Sequence, residues 1–205
     1  MAVRAIDALS VRRGLLAERD RLLVTDPLTG AYNRRFLAQE TDRAFARARR
    51  GEEAVSALAL DLDGFKAVND RFGHGAGDEL LRAVSASIAG ELRLGDLLCR
   101  LGGDEFLILC PSTSGDGAVE LAQRVRRAVQ QASAAVVPEQ PVTTSVGVAT
   151  FPGDAADPDE LIRNADAALY AGKRGGRNRV VPFTEVVDED AVGTVSERFG
   201  APTRA

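Results

Sequence analysis

Residues 100–106, Arg-Leu-Gly-Gly-Asp-Glu-Phe, place two glycines and two acids between two apolar runs. Leu97, Leu98 and Cys99 precede them, and Phe106, Leu107, Ile108 and Leu109 follow. An apolar run, a short glycine-containing turn and a second apolar run spell a β-hairpin. The turn falls at residues 102–105, with Asp104 and Glu105 at or beside its tip. Gly102 and Gly103 take backbone angles closed to other residues and leave room for phosphates to approach the main chain. Adjacent carboxylates beside such a gap suit a divalent cation shared with a nucleotide triphosphate. Taken alone, four such residues more often make a solvated turn, so the reading depends on what stands around them.

The chain has 205 residues, 45% hydrophobic and 27% charged, enough for one domain with a real core and some extra length. A net charge of −4 and a pI of about 5.2 argue against a nucleic-acid binder, which usually carries a basic face. No apolar run approaches the roughly 18 residues of a membrane helix, and the charged N-terminus lacks a signal-peptide core. The expectation is a cytoplasmic protein with no membrane segment in this chain. Cys99 and Cys110 lie in the two hairpin arms, where a symmetric turn sets Cys99 opposite Ile108. No disulfide is expected, and both cysteines read as buried apolar fillers.

Residues 1–24 hold no proline and one glycine, Gly14. Ile6, Leu9, Leu16 and Leu23 follow a heptad seam, with Arg13 and Asp20 at its other two positions. This is an N-terminal helical stalk: either a short parallel coiled coil or an amphipathic helix packed on its own domain. Asp26-Pro27 and Gly30 break it. A helix resumes over residues 33–50, with Phe36, Leu37, Ala44, Phe45 and Ala48 on one face. Residues 55–60 form a buried central strand that ends in Asp61-Leu62-Asp63, and carboxylates spaced by two share one side of an extended chain. Residues 64–70 are expected to turn, residues 72–78 to form a glycine-rich loop, and residues 79–92 to be helical. Beyond the hairpin come a helix at 118–132 and a β-branched strand at 142–151. A further helix opens at Asp157-Pro158-Asp159-Glu160 and runs to about Gly172. Residues 173–179 are basic, Val180-Val181 makes a short strand, and the tail from Phe183 is acidic and loosely attached. The chain thus divides into a stalk (1–24), a domain (25–182) and a tail (183–205). Helices interleaved with few strands around a hairpin indicate an α+β fold with an antiparallel or mixed sheet covered by helices.

Several charged segments converge if the hairpin lies beside the first strand. Asp61 and Asp104 would then share one or two Mg²⁺ ions, with a backbone carbonyl such as that of Leu62 completing a face. Lys66, Lys173 and Arg177 would offset phosphate charge. Asn69 and Asp78 are short polar side chains suited to guanine, whose N1–H and N2–H groups a carboxylate accepts. Each has a plainer alternative. A strand-end acid is often solvated, Asp78 would serve as the N-cap of the next helix, and Lys173 and Arg177 would complement a helix C-terminus. His74, the single histidine, fits bracing of the glycine loop better than metal ligation, because metal-binding histidines come in company.

Six segments in order, at 26–35 (DPLTGAYNRR), 61–70 (DLDGFKAVND), 72–78 (FGHGAGD), 100–106 (RLGGDEF), 145–149 (SVGVA) and 165–179 (ADAALYAGKRGGRNR), resemble the motifs of the GGDEF-domain family, the diguanylate cyclases. The resemblance implies a palm-like α+β domain of the class III nucleotidyl cyclase type. It implies that two GTP molecules, one on each subunit of a homodimer, condense into cyclic di-GMP and two pyrophosphates. By position, Asp61, Asp104 and the Leu62 carbonyl would hold two Mg²⁺ (or Mn²⁺) per active site. Glu105 would be a further ligand or the group that deprotonates the 3′-hydroxyl. Asn69 and Asp78 would read guanine, Lys66, Lys173 and Arg177 would hold phosphates, and Gly102 and Gly103 would give them room. Arg93 and Asp96 form an RxxD ahead of the hairpin turn, the family's offset for an inhibitory site that grips cyclic di-GMP. The stalk would couple the domain to an upstream sensor.

Two departures are small: Ala31 stands where leucine is usual, and Gly172 where alanine commonly precedes the lysine, which would loosen the last helical turn by up to about 1 kcal/mol. The competing readings are a catalytically silent module that binds GTP or cyclic di-GMP and signals by contact, and another palm-type cyclase. The intact acids and bases weigh against the first, and Asn69 with Asp78 against an ATP enzyme.

Overall fold

The computed structural model describes residues 24–51 and 53–186. The heptad seam at residues 6–23 and the chain beyond 186 lie outside the described residues. The expectation of a loose tail from Phe183 fails at its start, where Phe183–Glu185 form a 3-10 helix and the Phe183 ring packs against the core. In chain order the elements are β1 (Tyr32–Asn33), α1 (Arg34–Gly51), β2 (Val55–Asp63), α2 (Phe65–Phe72), α3 (His74–Glu91), β3 (Leu97–Gly102), β4 (Glu105–Pro111), α4 (Gly115–Val136), β5 (Thr143–Phe151), α5 (Pro158–Arg174) and β6 (Val180–Pro182). Among the described residues six strands form one mixed sheet in the order β1-β3-β4-β2-β5-β6. The four inner strands pair antiparallel, and the two short edge strands are parallel to their neighbours. This is the expected palm-like α+β fold.

Strand β2 is buried along nearly its whole length because helices cover both faces. Its alternation sorts side chains by size. Leu58, Leu60 and Leu62 point into a large core with α3 and α4, beside Phe106, Ile108, Val146 and Val148. Ala57 and Ala59 point to the other face, where Leu37, Ala44 and Phe45 of α1 and Leu161, Ala165 and Leu169 of α5 pack. Full burial of each leucine contributes on the order of 1.5–3 kcal/mol, while the alanines keep the second face thin. Gly147, paired with Ala59, takes this furthest. A Cβ there would overlap the Ala165 carbonyl oxygen and the Leu169 amide outright, and would lie 2.8 Å from the Ala168 carbonyl carbon. Helix α5 therefore lies directly on the sheet.

Several boundaries differ from the sequence reading. Residues 64–78 are two helices, not a turn and a loop. Phe65 and Val68, three apart, are buried together and fold residues 65–72 into a helix. Helix α3 begins at His74, so Asp78 is a helix-interior residue and no N-cap. His74 is exposed at the first helical position, with no glycine loop to brace. Helix α5 starts as expected, with the Asp157 carboxylate accepting from the Glu160 amide at 2.8 Å, but it runs past Gly172 to Arg174. The hairpin carries an irregularity between Arg100 and Gly102, so Cys99 faces Leu107 instead of Ile108. Cys110 faces Ser56. The cysteines are free, fully buried and on opposite faces of the sheet. Burial pushes the Cys99 thiol up to about 12 and Cys110 higher still, aided by the Asp96 charge.

Candidate active site

Strand pairing sets Glu105, Asp61 and Ser145 in one row across β4, β2 and β5. Partners in register share a face, so this row points to the thin side, where α5 lies. The β3–β4 turn folds over the end of β2, and the Leu62 amide donates to the Asp104 carbonyl at 3.4 Å. Lys173, one turn beyond Leu169 on α5, brings its Nζ to 2.6 Å from Asp61 Oδ2. Burial raises the Asp61 carboxyl above its usual range, Lys173 opposes that rise, and the charges of Asp104 and Asp63 add to it. Asp61 and Lys173 thus meet, with the Asp104 charge close enough to act on Asp61 and Glu105 directly opposite it.

The turn itself is held open. Gly102 and Gly103 have φ of 152° and 52°, values that side chains rarely adopt, and a Cβ on either would meet nothing within 4 Å. The space above the turn is free for a ligand. Below it, the Arg100 guanidinium donates to the Gly103 carbonyl through Nε at 3.0 Å and Nη2 at 2.7 Å. Its Nη1 reaches Asp26 Oδ1 at 3.0 Å. Asp26 also accepts from the Thr29 amide at 2.9 Å and the Thr29 hydroxyl at 2.6 Å. Burial disfavours ionisation of Asp26, but these bonds from Thr29 and Arg100 outweigh it and hold the carboxyl below its usual range. Arg100 and Asp26 therefore tie the segment entering the domain to the acidic turn. Sequence reading quoted both residues without assigning them this role; a side-chain bridge over 74 residues has no local signature.

The remaining candidates stand on other elements. Lys66 is exposed at the second position of α2. Asn69 lies on α2 and Asp78 on α3, where Gly77 faces Asn69 so closely that a Cβ would overlap Asn69 Oδ1 and lie 3.0 Å from its Cγ. Arg177 is exposed and leaves the helix that carries Lys173: it and Asn178 take left-handed φ of 60° and 47°, and the Arg177 amide returns to the Gly172 carbonyl at 3.1 Å. Arg93 and Asp96 are together. Arg93 Nε donates to Asp96 Oδ1 at 3.3 Å, and Arg93 Nη2 to the Pro111 carbonyl at 2.7 Å and the Thr113 hydroxyl at 2.6 Å. This pair sits at the far end of the hairpin from Asp104, because β3 begins just after Asp96 and the turn closes β3.

Among the described residues no three or more His, Cys, Asp or Glu side chains are gathered to hold a metal ion by themselves. The donors nevertheless fit Mg²⁺. They are hard carboxylate oxygens around a buried acid whose neighbours repel its charge, and Mg²⁺ is ordinarily bound by one or two carboxylates with substrate phosphates completing the shell.

These features define a class: an α+β domain with acids at the sheet end, an open glycine turn, and a basic group delivered by a closely packed helix. The model for "Diguanylate cyclase, GGDEF domain" matches residues 23–179. The chain belongs to this GGDEF-domain family of diguanylate cyclases. It is 41% identical over 163 residues to the response regulator PleD of Caulobacter vibrioides, covering 78% of this chain and 36% of PleD. Among solved structures, the coiled coil and GGDEF domain of DgcB from Caulobacter crescentus in complex with c-di-GMP matches with a TM-score of 0.76 at 30% identity, covering 88% of this chain and 96% of that one. Diguanylate cyclase SiaD of Pseudomonas aeruginosa, in complex with its activator SiaC, matches with a TM-score of 0.74 at 35% identity, covering 88% of this chain and 70% of SiaD. The chain spans little more than a third of PleD, 36% of its length. No helix of the described residues is long and apolar enough to cross a membrane.

Proposed function

We propose that this chain is an active diguanylate cyclase that condenses two GTP into cyclic di-GMP and two pyrophosphates. The observation that carries the reading is the Asp61–Lys173 pair at 2.6 Å, set beside the open Asp104–Glu105 turn. A phosphoryl-transfer site needs that adjacency of acids and bases, and a solvated turn does not. Asp61, Asp104 and Glu105, with the Leu62 carbonyl, would hold two Mg²⁺, which when bound lower the cost of ionising the attacking hydroxyl and offset charge on the phosphates.

The chain's own groups do the rest. Gly102 and Gly103 let the triphosphate approach the main chain. Lys66, Lys173 and Arg177 bind its oxygens and stabilise the charge that spreads over them in the transition state. Asn69 and Asp78 select guanine. Each 3′-oxygen bonds to the partner's α-phosphorus as the bond to pyrophosphate breaks, and Glu105 is either a further metal ligand or the group that takes the hydroxyl proton. Because the attacking hydroxyl belongs to the nucleotide on the facing subunit, each chain supplies half a site and a homodimer completes it. The segment at 1–24 would couple two domains to an upstream sensor, and GTP as substrate places the reaction in the cytoplasm. Arg93 and Asp96 bind product and inhibit: arginine stacks on and hydrogen-bonds a base while the carboxylate reads its edge.

The test is chromatography of the products from GTP and Mg²⁺ at several protein concentrations, beside the Asp104→Asn/Glu105→Gln variant. Cyclic di-GMP that forms with a rate steeper than linear in protein, and is lost in the variant, is the expected result. GTP or cyclic di-GMP binding without product at any concentration would replace the enzyme with a silent binding module. Arg93→Ala should relieve inhibition by added cyclic di-GMP.

A further inference from the structure

Asp61 and Asp63 fall on one side of β2, spaced as paired metal ligands would be, yet their surroundings differ. The two oxygens of Asp63 are already engaged by the protein. The Ser145 hydroxyl lies 2.9 Å from Oδ1 and 3.1 Å from Oδ2. The Thr143 hydroxyl donates to Oδ2 at 2.9 Å, and the backbone amide of Asn178 donates to Oδ2 at 3.1 Å. The first two partners stand on the neighbouring strand β5. The third lies 115 residues away in the basic turn after α5.

That turn needs holding. Arg177 and Asn178 are consecutive non-glycine residues in the left-handed region, a conformation that persists only where the surroundings over-determine it. Among its ties are the Arg177 amide to the Gly172 carbonyl and the Val146 amide to the Arg179 carbonyl at 2.9 Å, Arg126 Nη1 to the Asn178 side-chain oxygen at 2.8 Å, Arg179 Nε to the Arg177 carbonyl at 3.3 Å, and the Asn178 amide to Asp63. Two of these set a charged group directly on the left-handed backbone, the Arg179 guanidinium from within the turn and the Asp63 carboxylate from the sheet. Asp63 is thus the charged group that anchors this backbone to another element, and charge-assisted bonds are about twice as strong as neutral ones.

We propose that Asp63 is a positioning residue. Seated on β5 by Thr143 and Ser145, it clamps the Asn178 amide and so fixes the turn that presents Arg177 to the nucleotide's phosphates, while Asp61 alone of the pair serves the reacting centre. The inference rests on the proposed GTP site and assigns Asp63 to the triphosphate end of it.

The experiment uses the full chain and its Asp63→Asn and Ser145→Ala variants. Amide hydrogen exchange at Asn178 reads the clamp without any nucleotide. Competition binding with a non-hydrolysable GTP analogue and with guanosine separates phosphate recognition from base recognition. In Asp63→Asn, Asn178 exchange should rise at least about ten-fold, as expected for loss of a hydrogen bond to a charged group. Affinity for the GTP analogue should fall about ten-fold while that for guanosine is unchanged. Combining Asp63→Asn with Arg177→Ala should weaken analogue binding no further than Arg177→Ala alone. Ser145→Ala, a milder change, should move both readouts in the same direction. Unchanged exchange at Asn178 would overturn the clamp. Faster exchange with unchanged analogue affinity, or equal losses for guanosine and the analogue, would overturn its role in phosphate binding. A wild-type chain that binds neither nucleotide would overturn the proposed function and this inference with it, and is told apart from the other outcomes because it needs no variant.

Discussion

Replacing Gly147 with alanine tests how tightly the second face of the sheet positions Lys173. The added methyl would overlap backbone atoms of Ala165 and Leu169 and lie 2.8 Å from the Ala168 carbonyl carbon. Carbon atoms are content at about 3.5–4.0 Å, so α5 must withdraw by roughly 1 Å. The opposing atoms are helix backbone, which cannot rotate aside as a side chain can. Over-packing of this kind costs about 1–3 kcal/mol, and a rigid backbone puts the cost near the top of that range. Restricting the unfolded chain returns about 0.4–1 kcal/mol, leaving a net loss of about 2 kcal/mol. At about 2–4 °C per kcal/mol for a chain of this size, the melting temperature should fall by about 4–8 °C. The same withdrawal carries Lys173 away from Asp61, now 2.6 Å apart, and a 1 Å misplacement can reduce turnover about 100-fold. The assays are urea and thermal unfolding followed by circular dichroism, with cyclic di-GMP formation alongside. Gly172→Ala is the control on the same helix: its Cβ would meet Val181 Cγ2 at 3.4 Å and Arg179 Cγ at 3.5 Å, ordinary contacts, so it should be neutral or stabilise by up to about 1 kcal/mol. Unfolding of Gly147→Ala within about 0.5 kcal/mol of wild type, the size of an ordinary surface change, would refute the close approach of helix and sheet.

Three further expectations rest on other parts of the molecule. Gly77→Ala pushes on the Asn69 side chain and on the buried Phe65 ring 3.2 Å away, so it should raise the KM for GTP and cost about 1 kcal/mol of stability, and a fall in the urea midpoint at unaltered KM would contradict that. Asp26 is held below the ordinary aspartate value of 3.8, so the unfolded chain binds more protons in the interval beneath 3.8; its contribution is complete above that pH and is lost as pH falls through the folded value. The stability lost on Asp26→Asn, measured by urea unfolding across a pH series, should therefore be constant at neutral pH and shrink in acid, and a pH-independent difference would count against the Arg100–Thr29 clamp. The native protein should resist iodoacetamide, because both thiols are buried and Cys99 is pushed up to about 12; adducts appearing on folded protein as fast as in urea would show that the sheet interior is open.

Much of the architecture follows from local pattern. The hairpin, the buried strand at its side and the capped start of α5 are legible because alternation, turn glycines and an N-cap acid act over a few residues. Asp61, Asp104 and Lys173 were legible as candidates because each stands in a motif of adjacent charged residues. Residues 64–78 were misread for a physical reason: glycine weight argues for a loop, but burial of Phe65 and Val68 and contact of Gly77 with Asn69 favour helices there. Local propensity loses to tertiary burial at such positions.

What the linear chain determined by itself is the inventory of chemistry and its order: acids at a strand end and a turn, bases near a helix end, and an alternation of large and small residues that sorts the two cores. Only the tertiary structure decided which of these meet. The register of β2 against β4 and β5 sets Asp61 opposite Glu105 and Asp63 opposite Thr143. The missing side chain of Gly147 lets α5 descend until Lys173 reaches Asp61. Arg100 bridges Asp26 and the acidic turn across 74 residues. These contacts join residues far apart in sequence, and their geometry exists only once burial of both faces of the sheet has fixed the strands and helices against each other.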